Sequence, residues 1–272
     1  MLPVRPAAAP EPSLRPVEAA LAGLRRRGLG PAGVADPLVV ADTRGWEPAT
    51  GLLDGSRLPA LLEYPAARWN AAPHASATLA WKAYTYWLAH LVLLGWTSRR
   101  VPRLSAENTL VRLDGRPPYV TVGLRTGAMT AVGTDRGRPG AEVTTVGADD
   151  ELLAVLREEL LERHLIPLAA AIRQRTAVGS RTLWGEVAAG LGRVADRTRP
   201  VRGGPPGGDL VALLHTLGVD HLVGLRSERT GRVTVRRRTC CLAFTVSGLD
   251  GPCADCRIPA SRTTTSRQER SR

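Results

Sequence analysis

An apolar stretch of eighteen residues, 79–96, constrains the fold of this chain more than any other feature. Lys82, His90 and two tyrosines interrupt it, so its uninterrupted part is shorter than the roughly 20 apolar residues that a membrane-spanning helix needs. A stretch of this kind is typical of a helix buried in a protein interior. We therefore predict a buried helix over residues 76–96, with Ser76 as its N-cap and Gly95 near its end.

Composition excludes several classes of protein. The chain has 272 residues, of which 43% are hydrophobic and 23% charged, which rules out a collagen-like, wholly disordered or membrane-spanning protein. Its first thirteen residues contain repeated prolines and lack the apolar run of a signal peptide. We therefore expect a cytoplasmic protein, with the possibility of a peripheral position at the inner membrane left open.

Hydrophobic periodicity predicts a mostly helical α+β fold. Helical spacing of apolar residues occurs over residues 14–27, 151–174, 181–194 and 210–217, and Pro167 should kink or split the second of these helices. Residues 36–65 are rich in Gly and Pro and predict loop and short helix. Short β-branched runs at 109–113, 119–124 and 128–132 predict a small antiparallel sheet.

A Gly- and Pro-rich segment divides the chain. Residues 199–208 can sustain neither a helix nor a central strand, so they predict a linker. We expect a helical domain over residues 1–198, with the small antiparallel sheet, and a small metal-binding region over residues 209–260. Residues 261–272 are polar enough to predict a disordered tail.

Positive charge and cysteine are concentrated together near the end of the chain. Residues 226–272 contain eleven arginines and four acidic residues, and eleven minus four gives a net charge of +7 out of +12 for the whole chain. The same segment contains all four cysteines, and four clustered cysteines in a reducing compartment are more typical of metal ligands than of disulfides. The function should therefore be sought there.

The cysteines form two pairs. Cys240 and Cys241 are adjacent, and Cys253 and Cys256 form a C-x2-C motif, a spacing that lets one turn present two thiolates to a metal. Four thiolates without a nearby histidine fit either an all-cysteine zinc site or a [2Fe-2S] cluster. An adjacent pair suits the longer two-iron cluster better, because neighbouring side chains on a strand point to opposite sides.

The segment between the two pairs predicts how they meet. Apolar residues alternate over residues 242–246, which predicts a strand, and Gly and Pro in residues 247–252 predict a turn. A strand followed by such a turn would bring the second pair back to the first.

The spacing of the cysteines also resembles that of a known family. RRRTCCL contains the first pair, and HLIPLAAAIRQRT at 164–176 and LWGEVAAGL at 183–191 precede it. These motifs resemble the FhuF-like ferric siderophore reductases, whose iron-sulfur domain ends in C-C-x10-C-x2-C. The resemblance covers the C-terminal half of the chain and is poor over the first hundred residues. It implies that the ligands of a [2Fe-2S] cluster are Cys240, Cys241, Cys253 and Cys256.

One departure from the family motif lies between the pairs. Eleven residues separate Cys241 from Cys253, where the family has ten. The expected turn contains Gly248 and Gly251, and an added residue in a flexible turn has a small entropic cost. The ligand assignment is therefore kept.

The resemblance implies a cytosolic ferric siderophore reductase. Such an enzyme reduces chelated Fe³⁺ by one electron and releases the iron as Fe²⁺. GLGPAG at 28–33 follows a helix and not a strand, so no flavin or nicotinamide site is predicted, and a ferredoxin or flavodoxin-like protein must supply the electrons. Contact with an inner-membrane transporter is left open. The candidates for tuning the cluster or docking the donor are Arg236, Arg237, Arg238 and Arg257.

Two other functions remain open. The first is a zinc-containing nucleic-acid-binding protein, which the basic segment favours, although Phe244 is the only aromatic residue there that could stack on a base. Because of that scarcity we predict no nucleic-acid partner. The second is an iron-sulfur electron carrier without a substrate of its own, which would need far fewer residues.

Four further residues are candidates for a siderophore cleft, although aromatic side chains at helical spacing are usually core: Trp81, Trp87, His164 and Trp184.

Overall fold

A computed structural model describes residues 14–133, 142–201, 208–228 and 232–246, together with Cys253 and Cys256. The fold is a mostly helical α+β fold, as predicted. The helices are α1 (Arg15–Arg26), α2 (Thr50–Leu53), α3 (Leu58–Trp69), α4 (Pro73–Thr97), α5 (Asp149–Arg157), α6 (Ile166–Arg175), α7 (Ser180–Thr198) and α8 (Gly208–Thr216), and a π-helical segment, Glu158–Leu165, joins α5 to α6. The strands are β1 (Val34–Val39), β2 (Glu47–Pro48), β3 (Arg100–Pro102), β4 (Thr109–Leu113), β5 (Val120–Leu124), β6 (Met129–Val132), β7 (Val143–Val146), β8 (Val223–Ser227) and β9 (Val233–Arg237).

Helix α4 is the predicted buried helix and forms the centre of the core. Residues on most of its sides are buried, including Trp81 and Tyr84, and α3 and α7 pack against it. The Trp81 indole donates a hydrogen bond to the Leu183 carbonyl of α7 at 2.8 Å. The predicted N-cap at Ser76 is wrong, because the helix begins at Pro73 and the Ser76 hydroxyl donates to the Leu62 carbonyl of α3. None of the helices described here is both long and apolar enough to cross a bilayer.

The predicted antiparallel sheet is two small mixed sheets. The first has the order β1-β5-β4-β2, with β1 parallel to β5 and β4 antiparallel to β5. In the second, β6 pairs with β3 and β7. The turn between β5 and β6 is held by Asn108, whose side-chain oxygen accepts hydrogen bonds from the backbone and hydroxyl of Thr126 at 3.0 and 2.9 Å. This turn directs β6 away from β5.

Residues 36–65 contain more regular structure than their composition predicts. They include most of β1, all of β2 and α2, and most of α3. Pro37 lies in β1, which is at an edge of its sheet, where a residue without an N–H is tolerated. Pro65 is buried inside α3. Because proline disfavours regular structure, these two residues contributed to the prediction of loop and short helix.

The long helical segment 149–175 is continuous through Pro167, where we predicted a kink or a split. The π-helical segment ends just before Pro167, and its wider turn accommodates the missing N–H of this residue. The Arg163 carbonyl, four residues before the proline, instead accepts a hydrogen bond from the Ala106 backbone at 3.5 Å. Asp149 and Asp150 lie in the first turn of α5, whose N-cap is Ala148.

The described residues beyond the predicted linker share the core of the residues before it. Leu210, Leu213 and Val233 belong to the same buried apolar cluster as α4 and α7. The Asp209 carboxylate accepts a hydrogen bond from the Trp96 indole of α4 at 3.0 Å. Most of the predicted linker (202–207) and all of the predicted tail (261–272) lie outside the described residues. The division of the chain at 199–208 stays a prediction.

Candidate metal centre

Helix α7 positions the strand that leads to the first cysteine pair. Strands β8 and β9 form an antiparallel hairpin that packs on α7. A Cβ atom on Gly185 would lie 2.0 Å from Thr239 Oγ1, and one on Gly192 would lie 2.1 Å from Val235 Cγ2. These two glycines therefore let the hairpin approach the helix closely, which fixes the residue immediately before Cys240.

The chain turns directly after the first pair, so the predicted strand over residues 242–246 is wrong. Leu242 has a left-handed backbone (φ +59°), and Ala243–Thr245 forms a 3-10 turn. The Thr245 hydroxyl and backbone N–H both donate to the Leu242 carbonyl, at 2.6 and 2.9 Å. The Leu242 N–H donates to Cys240 Sγ at 3.4 Å. The predicted turn at 247–252 lies outside the described residues.

One cysteine of each pair is in contact with the other pair. The Sγ atoms of Cys241 and Cys253 are 3.6 Å apart. Two thiolates on one tetrahedral metal ion, with metal–sulfur bonds of about 2.3 Å, would be about 3.8 Å apart. The C-x2-C motif forms a turn in which the Cys256 N–H donates to the Cys253 carbonyl at 2.8 Å. None of the four cysteines forms a disulfide; Cys241 is buried and the others are half-buried.

The environments of the first two cysteines differ. A hydrogen bond from Cys253 lowers the pKa of Cys241 to about 5, and the Ala243 N–H, Lys82 and Arg237 act in the same direction against the effect of burial. Burial raises the pKa of Cys240, and the charges of Cys241 and Cys256 add to that rise. The lowered pKa of Cys241 favours its thiolate, which is the form that binds a metal.

An apolar cluster surrounds the Cys241–Cys253 contact. Cys241 is buried against the beginning of α4, and Cys253 packs against the same cluster. This surrounding lowers the local dielectric constant, which strengthens the effect of nearby charges. The apolar partners are Trp69, Ala71, Ala75, Leu79, Leu242, Ala243 and Val246.

Sequence reasoning missed Lys82, the only lysine of the chain. It lies on α4, one turn after Leu79, and its ammonium interacts electrostatically with the thiols of Cys241 and Cys253. Burial lowers the pKa of Lys82, Arg193 and Arg237 lower it further, and the two cysteines raise it. A single lysine within an otherwise apolar helix, in a chain rich in arginine, was the feature that could have identified it.

A buried ion pair holds Arg237, one of the arginines singled out from the sequence. Arg237 and Glu186 of α7 are both fully buried and form a two-point contact in which one N–O distance is 2.8 Å. Arg193 lies 3.8 Å from the same carboxylate. Because it is buried, Arg237 is not accessible to a docking partner, but its charge acts on Cys240 and Cys241.

The other predicted arginines differ in their positions. Arg236 and Arg238 are exposed, and the Arg238 guanidinium donates to the His221 carbonyl at 3.4 Å. Arg257 lies outside the described residues.

The four residues predicted for a siderophore cleft also differ in their burial and position. Trp81 and His164 are fully buried. Trp87 is half-buried, and its indole nitrogen lies 2.2 Å from where a Cβ on Gly33 would be. Trp184 lines an open cavity.

The residues present fit a thiolate-bound metal group. Thiols outside any disulfide, a sulfur–sulfur distance suited to one metal ion, and the nearby cations Lys82 and Arg237 are the donor set and the electrostatics that such a group needs. Within the described part of the chain, no three Cys, His, Asp or Glu side chains form a group that could hold a metal ion.

No protein-family model matches this chain, and no curated protein matches its sequence.

Proposed function

We propose that this protein is a ferric siderophore reductase that holds a [2Fe-2S] cluster with Cys240, Cys241, Cys253 and Cys256. The observation that carries the proposal is the contact between the two cysteine pairs, with Cys241 and Cys253 Sγ atoms 3.6 Å apart near the half-buried Lys82 and the buried Arg237. The resemblance of the cysteine spacing to the FhuF-like reductases gives the substrate class.

The two cations near the thiols, Lys82 and Arg237, favour a redox group over a structural zinc ion. An all-cysteine [2Fe-2S] group has a net charge of about −2 when oxidised and −3 when reduced, whereas the charge of a zinc site does not change. Lys82 and Arg237 act on the thiols from a surrounding of low dielectric constant. Positive charge there stabilises the reduced form and so raises the reduction potential.

The chain's own residues supply the conditions for this chemistry. When bound and reduced, the cluster supplies one electron to the chelated Fe³⁺, which becomes Fe²⁺, and a ferredoxin or flavodoxin-like donor replaces that electron. Ala71, Ala75 and Leu79 exclude water from one side of the thiols. Glu186 holds the Arg237 guanidinium in place. Hydroxamate, catecholate and carboxylate oxygens are hard ligands that prefer Fe³⁺, so a one-electron reduction weakens their hold on the iron.

Spectroscopy of anaerobically prepared protein tests the proposal. We expect a coloured protein with two irons and two sulfides per chain, an electron paramagnetic resonance signal after reduction, and transfer of Fe²⁺ from a ferric chelate to a ferrous-specific trap. Each Cys→Ser variant should lose or alter the visible spectrum, because an alkoxide is a harder ligand than a thiolate. Thr245→Ser, a conservative change in the turn after the first pair, should keep it.

Two results would contradict the proposal. The first is a colourless protein with stoichiometric zinc, which would support the zinc-site alternative. The second is a coloured protein that cycles electrons with a donor and reduces no ferric chelate, which would support an electron carrier without a substrate.

A further inference from the structure

A cavity of about 700 Å³ lies beside the β8–β9 hairpin, which leads to the first cysteine pair. Its walls are the π-helical segment, α6, the beginning of α7 and the 3-10 turn Asp220–Leu222. Its volume is in the range of sites that bind small molecules.

The polar lining of this cavity is strongly biased towards positive charge. Arg157, Arg173 and Arg181 contribute to it together with His221, and none of its lining residues is acidic. Arg157 also contacts Glu162 at 3.3 Å, outside the lining. Three guanidinium groups around one cavity attract an anion, because each can donate charge-assisted hydrogen bonds to carboxylate or phenolate oxygens.

The remaining lining is apolar. Trp184 lies at one wall and is held edge-on against Trp81 of the core, with ring centroids 5.9 Å apart. Ile166, which is 40% exposed, and Ala169 contribute further apolar surface. A ligand that fits this lining combines negatively charged oxygens with flat or apolar parts.

Two contacts connect the cavity to the first cysteine pair. Trp184 directly precedes Gly185, against which Thr239 packs. The Arg238 backbone N–H donates to the carbonyl of Leu222, another lining residue, at 2.9 Å. Of the two residues that precede Cys240, Arg238 thus contacts a lining residue, and Thr239 packs against Gly185, the neighbour of the lining residue Trp184.

We infer that this cavity binds a negatively charged ferric chelate, of the catecholate or carboxylate class, as the substrate of the proposed reductase, and the inference rests on that function. Neutral trihydroxamate chelates would bring no negative charge to Arg173 and Arg181, whereas Arg157 already contacts Glu162. Reduction by one electron forms or breaks no covalent bond in the protein and makes the chelate one unit more negative. Arg157, Arg173 and Arg181 would therefore stabilise the product of electron transfer more than the substrate.

Binding of redox-inert gallium chelates tests the inference without requiring a cluster. Titration calorimetry would compare a Ga³⁺ tris-catecholate with a neutral Ga³⁺ trihydroxamate on the full chain. We expect the anionic chelate to bind at least about tenfold more tightly. Arg173→Glu with Arg181→Glu should weaken its binding by at least about tenfold. Arg26→Glu with Arg226→Glu, which changes the net charge equally at exposed sites outside the cavity, should leave it unchanged.

Three outcomes would overturn the inference: equal affinity for both chelates, an unchanged affinity in the Arg173/Arg181 variant, or an equal loss in the charge-matched control. Its failure is distinct from failure of the proposed function. A coloured protein that reduces ferric chelates independently of Arg173 and Arg181 would keep the reductase and reject the cavity as its site. Arginine-dependent binding of the tris-catecholate by a colourless, zinc-containing protein would keep the anion site and reject the reductase.

Discussion

Lys82 lies on α4 where its ammonium acts on the thiols of Cys241 and Cys253. Arg193 and Arg237 are its positive neighbours, and burial further lowers its pKa. An isolated ammonium in such a place would be costly, so a compensating negative group at the cysteines stabilises it. The arrangement predicts that Lys82 and the proposed [2Fe-2S] cluster would stabilise each other.

Replacing Lys82 tests this coupling. In the proposed holoprotein, Lys82→Met removes the charge at similar length and should lower the reduction potential on the order of 60 mV, which is a tenfold change for one electron. Lys82→Arg keeps the charge and should shift it much less. Redox titration followed by electron paramagnetic resonance measures both. A fully loaded Lys82→Met protein with the wild-type potential would contradict the prediction.

His164 is fully buried and is held by two hydrogen bonds. Its Nδ1 donates to the Leu104 carbonyl at 2.6 Å, so its Nε2 accepts from the Tyr84 hydroxyl, also at 2.6 Å. Burial lowers the pKa of His164 from 6.5 to about 4, against the opposing effects of the Leu104 carbonyl and Glu107. The residue is a neutral part of the core and not a cleft residue.

Acid should therefore destabilise the fold through His164. Between about pH 6.5 and 4 the unfolded chain binds a proton that the folded chain does not, so stability that is complete above pH 6.5 falls as the pH is lowered. The contribution lost between about pH 7 and pH 5 is about 2 kcal/mol. Urea unfolding at both values should show this loss reduced in His164→Gln. The exposed control His215→Gln should keep it, and an unchanged pH dependence in His164→Gln would contradict the prediction.

At the scale of elements, α7 is the helix on which the candidate site depends. Its glycines differ in what surrounds them. Gly185 packs closely against Thr239, and Gly192 packs closely against Val235 of β9. A Cβ on Gly190, in contrast, would meet nothing nearer than the Tyr86 Cα atom at 3.9 Å. The same helix therefore contains glycines that are required for close packing and one that is not.

Alanine substitution should separate these glycines. Gly185→Ala forces Thr239 away and should lower the free energy of unfolding by about 1–3 kcal/mol. Gly190→Ala has room for its methyl group and should be neutral or stabilising by up to about 1 kcal/mol, because alanine favours helix. Urea unfolding of both variants measures the difference. Equal effects would show that β9 does not pack on α7 as described.

The sequence predicted elements whose pattern is local, and it failed where tertiary contacts decide. α1 and α4 follow from apolar periodicity, and β4 and β5 from β-branched residues. The strand predicted over 242–246 is absent because Leu242 adopts a left-handed backbone that leucine rarely uses and that composition does not indicate.

The candidate site shows the same division. Its cysteines are visible as a motif, whereas the pairing of Arg237 with Glu186 joins residues 51 positions apart and needed the fold.

At the scale of the whole molecule, the net charge of +12 favours acidic partners. Arg236 and Arg238, on either side of the buried Arg237, are exposed charges that lie close in sequence to the first cysteine pair. A negatively charged donor would be attracted over several ångströms at low salt. The range of this attraction decreases as salt is added, because the Debye length falls to about 3 Å at 1 M salt.

Reduction by an acidic donor should therefore slow as salt is added. Arg236→Glu with Arg238→Glu should slow it at low salt and remove most of its salt dependence, whereas Arg26→Glu with Arg226→Glu should have a smaller effect. Stopped-flow rates over a range of ionic strength would measure this. Rates that do not change with salt in the wild-type protein would exclude docking through this surface.

The position of Lys82 has a practical consequence for studying the fold. Because it is the only lysine, a lysine-specific endoprotease has a single peptide bond to cut, and that bond lies within the central helix α4. The folded chain cannot present a buried helix to a protease, so cutting requires the core to open. When opening and closing are fast relative to cutting, the cleavage rate follows the population of opened molecules. The rate of this single cut therefore measures the conformational stability of the unmodified protein.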